Sequence, residues 1–184
     1  ENKNLILIIS LYLLGVFFGS ICYNYIDSKS LTNIATGLLY NTDNSVLKIF
    51  INDITLYFGA YFVTLVFGLC VVGVPVVSIV PFIKAFIVSL QINYLYSSYD
   101  FKGVCYALLL VIPSSSIFSV ILFQTISESM KMSKSIYNTS FKKEEVSINT
   151  KHFFKMFALY GICIIIISLL DSALTTMLSS IIVM

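Results

Sequence analysis

Lys84 is the only charged residue in the 41 positions from Leu56 to Tyr96, and it holds the most chemical potential of any residue in the chain. A charge near the centre of a membrane helix is costly and usually faces a protein interior or a cavity, so it needs a partner. Asp171, within the last apolar run, is the candidate. Counted at about 1.5 Å per residue, Lys84 stands roughly 14 Å beyond Pro75 and Asp171 roughly 26 Å beyond Phe154, so a direct pair requires a tilted or displaced helix. Otherwise Lys84 bonds carbonyls freed around Pro81 or snorkels inward, and Asp171 is wetted near the outer boundary. Pro113, followed by Ser114, Ser115 and Ser116, predicts a kink whose freed backbone groups the hydroxyls can satisfy, lining a polar cavity.

The remaining reactive side chains form no catalytic constellation. His152 is the single histidine and has no Ser or Cys motif around it, while Glu144 and Glu145 lie in a lysine-rich stretch and read as solvated charge. Cys22, Cys70, Cys105 and Cys163 fall inside apolar runs without C-x-x-C spacing, which indicates neither a zinc site nor a disulfide framework. They read as small buried hydrophobes. Gln91, Asn93, Gln124 and Glu128 fall near run ends, where polarity is cheap. No catalytic, cofactor-binding or metal residue is assigned, and no cofactor is expected.

The elements that hold these residues follow from composition. Hydrophobic residues make up 58% of the 184 and charged residues 11%, where a soluble domain carries about 25% charge. The expected fold is all-α: a polytopic integral membrane protein, one transmembrane domain over 1–184. A hydrocarbon core about 30 Å thick takes roughly 20 helical residues, so the run from Leu56 to Tyr96 crosses twice or turns back inside the membrane. The predicted spans are 5–23, 54–72, 76–96, 104–127 and 154–182. Gly73, Val74 and Pro75 form the turn between the second and third, because Gly and Pro break helices.

Five spans put the amino terminus, the 73–75 turn and the 128–153 loop on one face. Lys3, Lys131, Lys134, Lys142, Lys143, Lys151 and Lys155 lie there, against Lys29, Lys48 and Lys102 opposite, so the positive-inside rule places the amino terminus in the cytoplasm and the carboxyl terminus outside. Tyr23, Tyr25, Tyr57, Tyr61, Tyr94, Tyr96, Tyr99 and Tyr106 fall at outer ends, where an amphipathic ring prefers the boundary. In the outer loop, Leu31 to Leu39 and Val46 to Ile54 show helical periodicity, with Ser30 and Asn44 as N-caps, and predict two short helices lying on the membrane surface. They offer a platform for extracytoplasmic partners or simply connect spans.

Gly15 and Gly19 form a G-x-x-x-G, and Ser168, Ser172, Thr176 and Ser179 step along one side of the last span; both stripes suit close helix packing, within the chain or with a second copy. The lipid bilayer is the certain partner. A net charge of +2 with eleven Lys and no Arg gives no case for nucleic acid.

The segment G-L-C-V-V-G-V-P-V-V-S-I-V-P-F-I-K-A-F, the Tyr-rich stretch after it and D-F-K-G-V-C-Y-A-L-L-L-V-I-P resemble the stage II sporulation protein M family. Gly73, Pro75, Lys84, Lys102, Gly103 and Pro113 match its pattern of a G-x-P turn, an intramembrane lysine, a K-G pair and a proline-interrupted span. The chain departs from it at Ala85, Ser89 and Gln91, where the family carries a glycine pattern after the lysine, and at Ser114 and Ser115, where it carries Gln-Asn. The resemblance implies a non-catalytic membrane scaffold working with peptidoglycan hydrolases in forespore engulfment. An alternative that it also implies is a subunit for maturation, export or immunity of a circular bacteriocin peptide, beside an ABC transporter.

Overall fold

The computed structural model describes residues 2–26, 31, 46–142 and 150–182, and these form helices with no strand among them. Helix α1 covers Asn2–Cys22 and closes in a 3-10 turn, Tyr23–Tyr25. Helices α2 (Val46–Gly68), α3 (Gly73–Tyr106), α4 (Ile112–Tyr137) and α5 (Thr150–Ile182) follow, with π-helical turns at Ala107–Val111 and Asn138–Lys142. Three stretches are long and apolar enough to cross a membrane, Asn4–Tyr25, Gly73–Leu109 and Thr150–Thr175, and a shorter apolar one covers Asp53–Gly68.

The helices run side by side. Gly15 lies against Phe82 and Ala85, and Gly19 against Phe86 and Ser89, so α1 and α3 are parallel. Tyr57 stacks on Phe118 at 4.3 Å, and Ser129 Oγ donates to the Thr64 carbonyl at 2.8 Å, which makes α2 and α4 parallel as well. Tyr57 meets Asp171 while Tyr61 meets the Phe157 carbonyl, so α5 runs against α2. Lys134 Nζ donates to Asn4 Oδ1 at 2.9 Å and Ser133 Oγ to the Cys70 carbonyl at 2.8 Å. The start of α1, the α2–α3 turn and the end of α4 therefore share one end of the bundle.

Its interior combines large apolar side chains, Phe118, Phe157, Leu122 and Ile126 among them, with a set of hydroxylated ones. Thr64, Ser89, Ser119, Thr125, Ser129, Ser133, Ser168 and Ser172 are buried, while Leu13, Phe17, Ile162 and Leu170 are more than half exposed. Large apolar side chains therefore lie on both the inside and the outside of the bundle. In lipid, where apolar surface gains nothing by leaving solvent, helices associate through close packing and hydrogen bonds.

Several expected boundaries move. The α2–α3 turn lies at 69–72, held by Leu69 N–H to the Val66 carbonyl and Gly73 N–H to that of Cys70. Gly73, Val74 and Pro75 instead form the first turn of α3, where Pro75 forfeits no hydrogen bond because first-turn N–H groups have no helical acceptor. The 97–103 loop contracts to Asp100, which adopts φ 49° and ψ −129°. The helix after it folds back so closely that a Cβ on Gly103 would overlap the Leu95 carbonyl. The second surface-lying helix is absent: Val46 to Ile54 form the opening turns of α2, their apolar periodicity continuing in phase with the run below. The 128–153 loop is helical as far as Lys142 and again from Thr150. Cys70 and Cys105 are exposed on the helix surface rather than buried. The rest of the first surface helix beyond Leu31, its Ser30 cap, Asn44, Glu144 and Glu145 lie outside the described residues.

Candidate functional site

Tyr57 is the hinge of the polar interior. Its hydroxyl donates to Asp171 Oδ2 at 2.9 Å, and its ring centroid lies 4.7 Å from Lys84 Nζ. The centroid of Phe118, which is stacked on Tyr57, lies 5.1 Å from the same ammonium. The lysine thus lies beside one stacked aromatic pair, within cation–π range of both rings, an attraction that strengthens where water is excluded. The axial gap between Lys84 and Asp171 anticipated from residue counting is spanned by this third side chain: the ring takes the cation and the hydroxyl takes the carboxylate. The counting missed it because it placed both helix starts on one plane and treated Tyr57 as a boundary marker.

Asp53, one helical turn before Tyr57, completes the cluster. It is 7% exposed, and it and Asp171 both act by charge on Lys84. Ser114 lies within hydrogen-bonding reach of Tyr57 and Asp171. These residues, with Gln91, Ser115, Val111 and Thr175, surround a cavity of about 40 Å³ reached from α2, α3, α4 and α5. Lys84 also borders an apolar recess of about 250 Å³ between α2 and α3, lined by Leu56, Gly59, Ala60, Val63, Val80 and Ile83.

Local backbone chemistry puts α4's residues there. Proline has no N–H and its ring crowds the preceding turn, and the helix widens into a π turn just before Pro113. Ser115 Oγ donates to the Val111 carbonyl at 2.5 Å and Ser116 Oγ to that of Pro113 at 2.9 Å. The hydroxyls serve loosened backbone groups while Ser114 faces the cluster.

The other singled-out residues lie elsewhere. Pro75 opens α3, away from the cavity. Gly15 and Gly19 form the contact of α1 with α3: a Cβ at Gly15 would stand 2.8 Å from Ala85 Cβ, and one at Gly19 2.7 Å from Ser89 Cβ. Alongside, Ser89 Oγ donates to the Val16 carbonyl at 2.9 Å, Ser20 Oγ lies 2.9 Å from Ser89 Oγ, and Asn93 Nδ2 donates to the Ser89 carbonyl at 2.8 Å. Ser168 and Ser172 are buried on α5, with the Ser168 hydroxyl lacking a partner among the described residues and that of Ser172 donating to the Leu169 carbonyl. Thr176 falls on the last turns of α5, and its side chain, like that of Ser179, lies outside the described residues. At the opposite end of the bundle, Lys131 Nζ meets Glu128 Oε1 at 3.0 Å. His152 is exposed at the start of α5.

The stage II sporulation protein M family model matches residues 7–176. The chain belongs to that family. The match takes in every helix and the whole charge cluster. This is a membrane protein of the stage II sporulation protein M family, which is not a known enzyme family. No curated protein and no solved structure gives a significant match.

Reading the sequence missed Asp53, Gln91 and Tyr57 as cluster members. Asp53 follows Asn52 and so looks like loop, and Gln91 sits near a predicted span end. The available signal was the i, i+4 and i, i+7 spacing of Asp53, Tyr57 and Lys84, Gln91, which aligns each pair on one helix face.

Proposed function

We propose that this family member is a five-pass, non-enzymatic scaffold subunit of a complex in the bacterial cell membrane, forming a single transmembrane domain. Its partners are cell-wall hydrolases acting on the outer side, as the family's role in engulfment suggests. The observation that carries this reading is the size of the polar interior. A cavity of about 40 Å³ has room for a few waters at most, so the charge cluster fastens four helices together and offers no route to a peptide. The five helices alternate along one axis, which supports five crossings: the apolar run of α2 is short, Asp53–Gly68, and α4 carries several buried Ser and Thr side chains. The lysine asymmetry supports a cytoplasmic amino terminus and an external carboxyl terminus.

Two experiments test the reading. Photo-crosslinkers introduced singly across the 26–45 connection, in native membranes, are expected to capture a peptidoglycan hydrolase. Capture of ABC-transporter subunits and a bacteriocin peptide instead would overturn the scaffold role in favour of export or immunity. For the topology, single cysteines replacing Asn4 and Lys134 in a cysteine-free background should resist impermeant maleimide in intact cells, and one replacing Tyr25 should react. Labelling at all three would refute the five-pass path.

A further inference from the structure

We infer that the cavity between α2, α3, α4 and α5 is a binding site for a monovalent cation of sodium size, with Asp53 as its charged ligand. The inference goes beyond the scaffold reading and stands without it.

Charge points to the ligand first. Two carboxylates and one ammonium share the cavity, leaving one negative charge in excess in a region where an uncompensated buried charge is strongly unfavourable. Asp171 is engaged by the Tyr57 hydroxyl, and the Lys84 ammonium is held over the Tyr57 and Phe118 rings. Asp53 is 7% exposed and accepts no hydrogen bond among the described residues. It is the surplus carboxylate.

A second and separate observation concerns a neutral group. The Gln91 amide, on a residue 8% exposed, lines the same cavity and makes no hydrogen bond among the described residues. The carboxylate and the amide both open into this water-sized space, where their polar atoms are available to whatever occupies it. Ser115 gives its proton to the Val111 carbonyl, so its oxygen can still donate a lone pair, and the Thr175 hydroxyl stands on the opposite wall. One carboxylate with several neutral oxygens is the donor set of a hard alkali cation. Among the described residues no three His, Cys, Asp or Glu side chains converge in a metal-holding group, which sets the site apart from a divalent or transition-metal centre. A proton on Asp53 would balance the charge as well, and the resulting carboxyl could pair with the Gln91 amide, so the response to sodium at constant pH is what separates the two. A cation held by the Asp53 carboxylate and the Gln91 carbonyl oxygen ties α2 to α3.

The test uses the full chain purified in detergent, melted by circular dichroism while sodium chloride replaces choline chloride at constant pH and ionic strength. A ligand that binds the folded form raises Tm with concentration, so a saturable rise with sodium and a smaller one with potassium are expected. Asp53→Asn should abolish the response, and Gln91→Ala should move its midpoint to roughly tenfold higher sodium, the loss of one neutral ligand. A flat wild-type titration overturns the site, as does an equal response to choline and sodium. So does stability that varies with pH but not with sodium, which would assign a proton to Asp53. Should Asp53→Asn fail to fold, the wild-type titration and Gln91→Ala decide alone.

Discussion

Replacing Gly15 and Gly19 by alanine should loosen α1 from the bundle, and the structure sets the scale. At Gly15 the new Cβ would stand 2.8 Å from Ala85 Cβ and overlap the Phe82 carbonyl; at Gly19 it would stand 2.7 Å from Ser89 Cβ and 2.8 Å from the Phe86 carbonyl. Carbon atoms pack best at about 3.5–4.0 Å, so the helices must separate by roughly 1 Å, and a gap of that size forfeits a quarter to a half of each dispersion contact along the seam. Overpacking of this kind costs about 1–3 kcal/mol, or roughly a factor of 5 to 150 in the docking equilibrium of α1. The Ser20 and Ser89 hydroxyl oxygens, 2.9 Å apart, supply the assay. With the four native cysteines replaced, a Ser20→Cys, Ser89→Cys pair should form a disulfide readily in membranes, and Gly15→Ala with Gly19→Ala should slow that reaction severalfold. Gly59 is the internal control: a Cβ there meets nothing within 4 Å, so Gly59→Ala should leave cross-linking unchanged and stabilise the helix by about 0.5–1 kcal/mol. Equal cross-linking in the double variant and the parent would refute the close-approach reasoning.

Lys84→Met removes the one basic side chain lining a cavity with two carboxylates and should destabilise the bundle by about 3–5 kcal/mol, the cost of breaking a buried charge pair from one side; adding Asp171→Asn should recover part of that loss, measured as a non-additive shift in thermal melts. Asp100→Gly should raise stability by about 1–2 kcal/mol, because a non-glycine residue at φ 49° bears a steric penalty that glycine escapes. Ser168→Ala should raise it by about 1 kcal/mol, since the hydroxyl is buried without a partner among the described residues and removing it ends an unrecovered desolvation cost.

The helices were legible in the sequence because apolar runs of membrane length have few other folds. The seam at Gly15 and Gly19 was legible because spacing by four puts small residues on one face. Lys84 and Asp171 stood out as charges at membrane depth, but the contact between them depends on Tyr57, whose amphipathic ring suits a boundary and an interior equally well. Asp53 illustrates the harder problem. A polar residue at the head of an apolar run is compatible with either loop or helix, and only the packing of α5 against α2 decides that it is buried. The reversal between the third and fourth spans was legible as the polar gap at 97–103, but its contraction to Asp100 was not, since neither Gly nor Pro occupies that position.

Parallel pairing of α1 with α3 bears on how the chain is made. The surface of α1 that carries Gly15 finds its match at Ala85, 70 residues later, and at a synthesis rate of about 5–20 residues per second the newborn first helix waits roughly 4–14 s in the bilayer before its proper neighbour emerges. During that interval its glycine stripe is open to any passing helix of suitable shape. Assembly with another protein, if it begins on this face, has a head start over the chain's own completion.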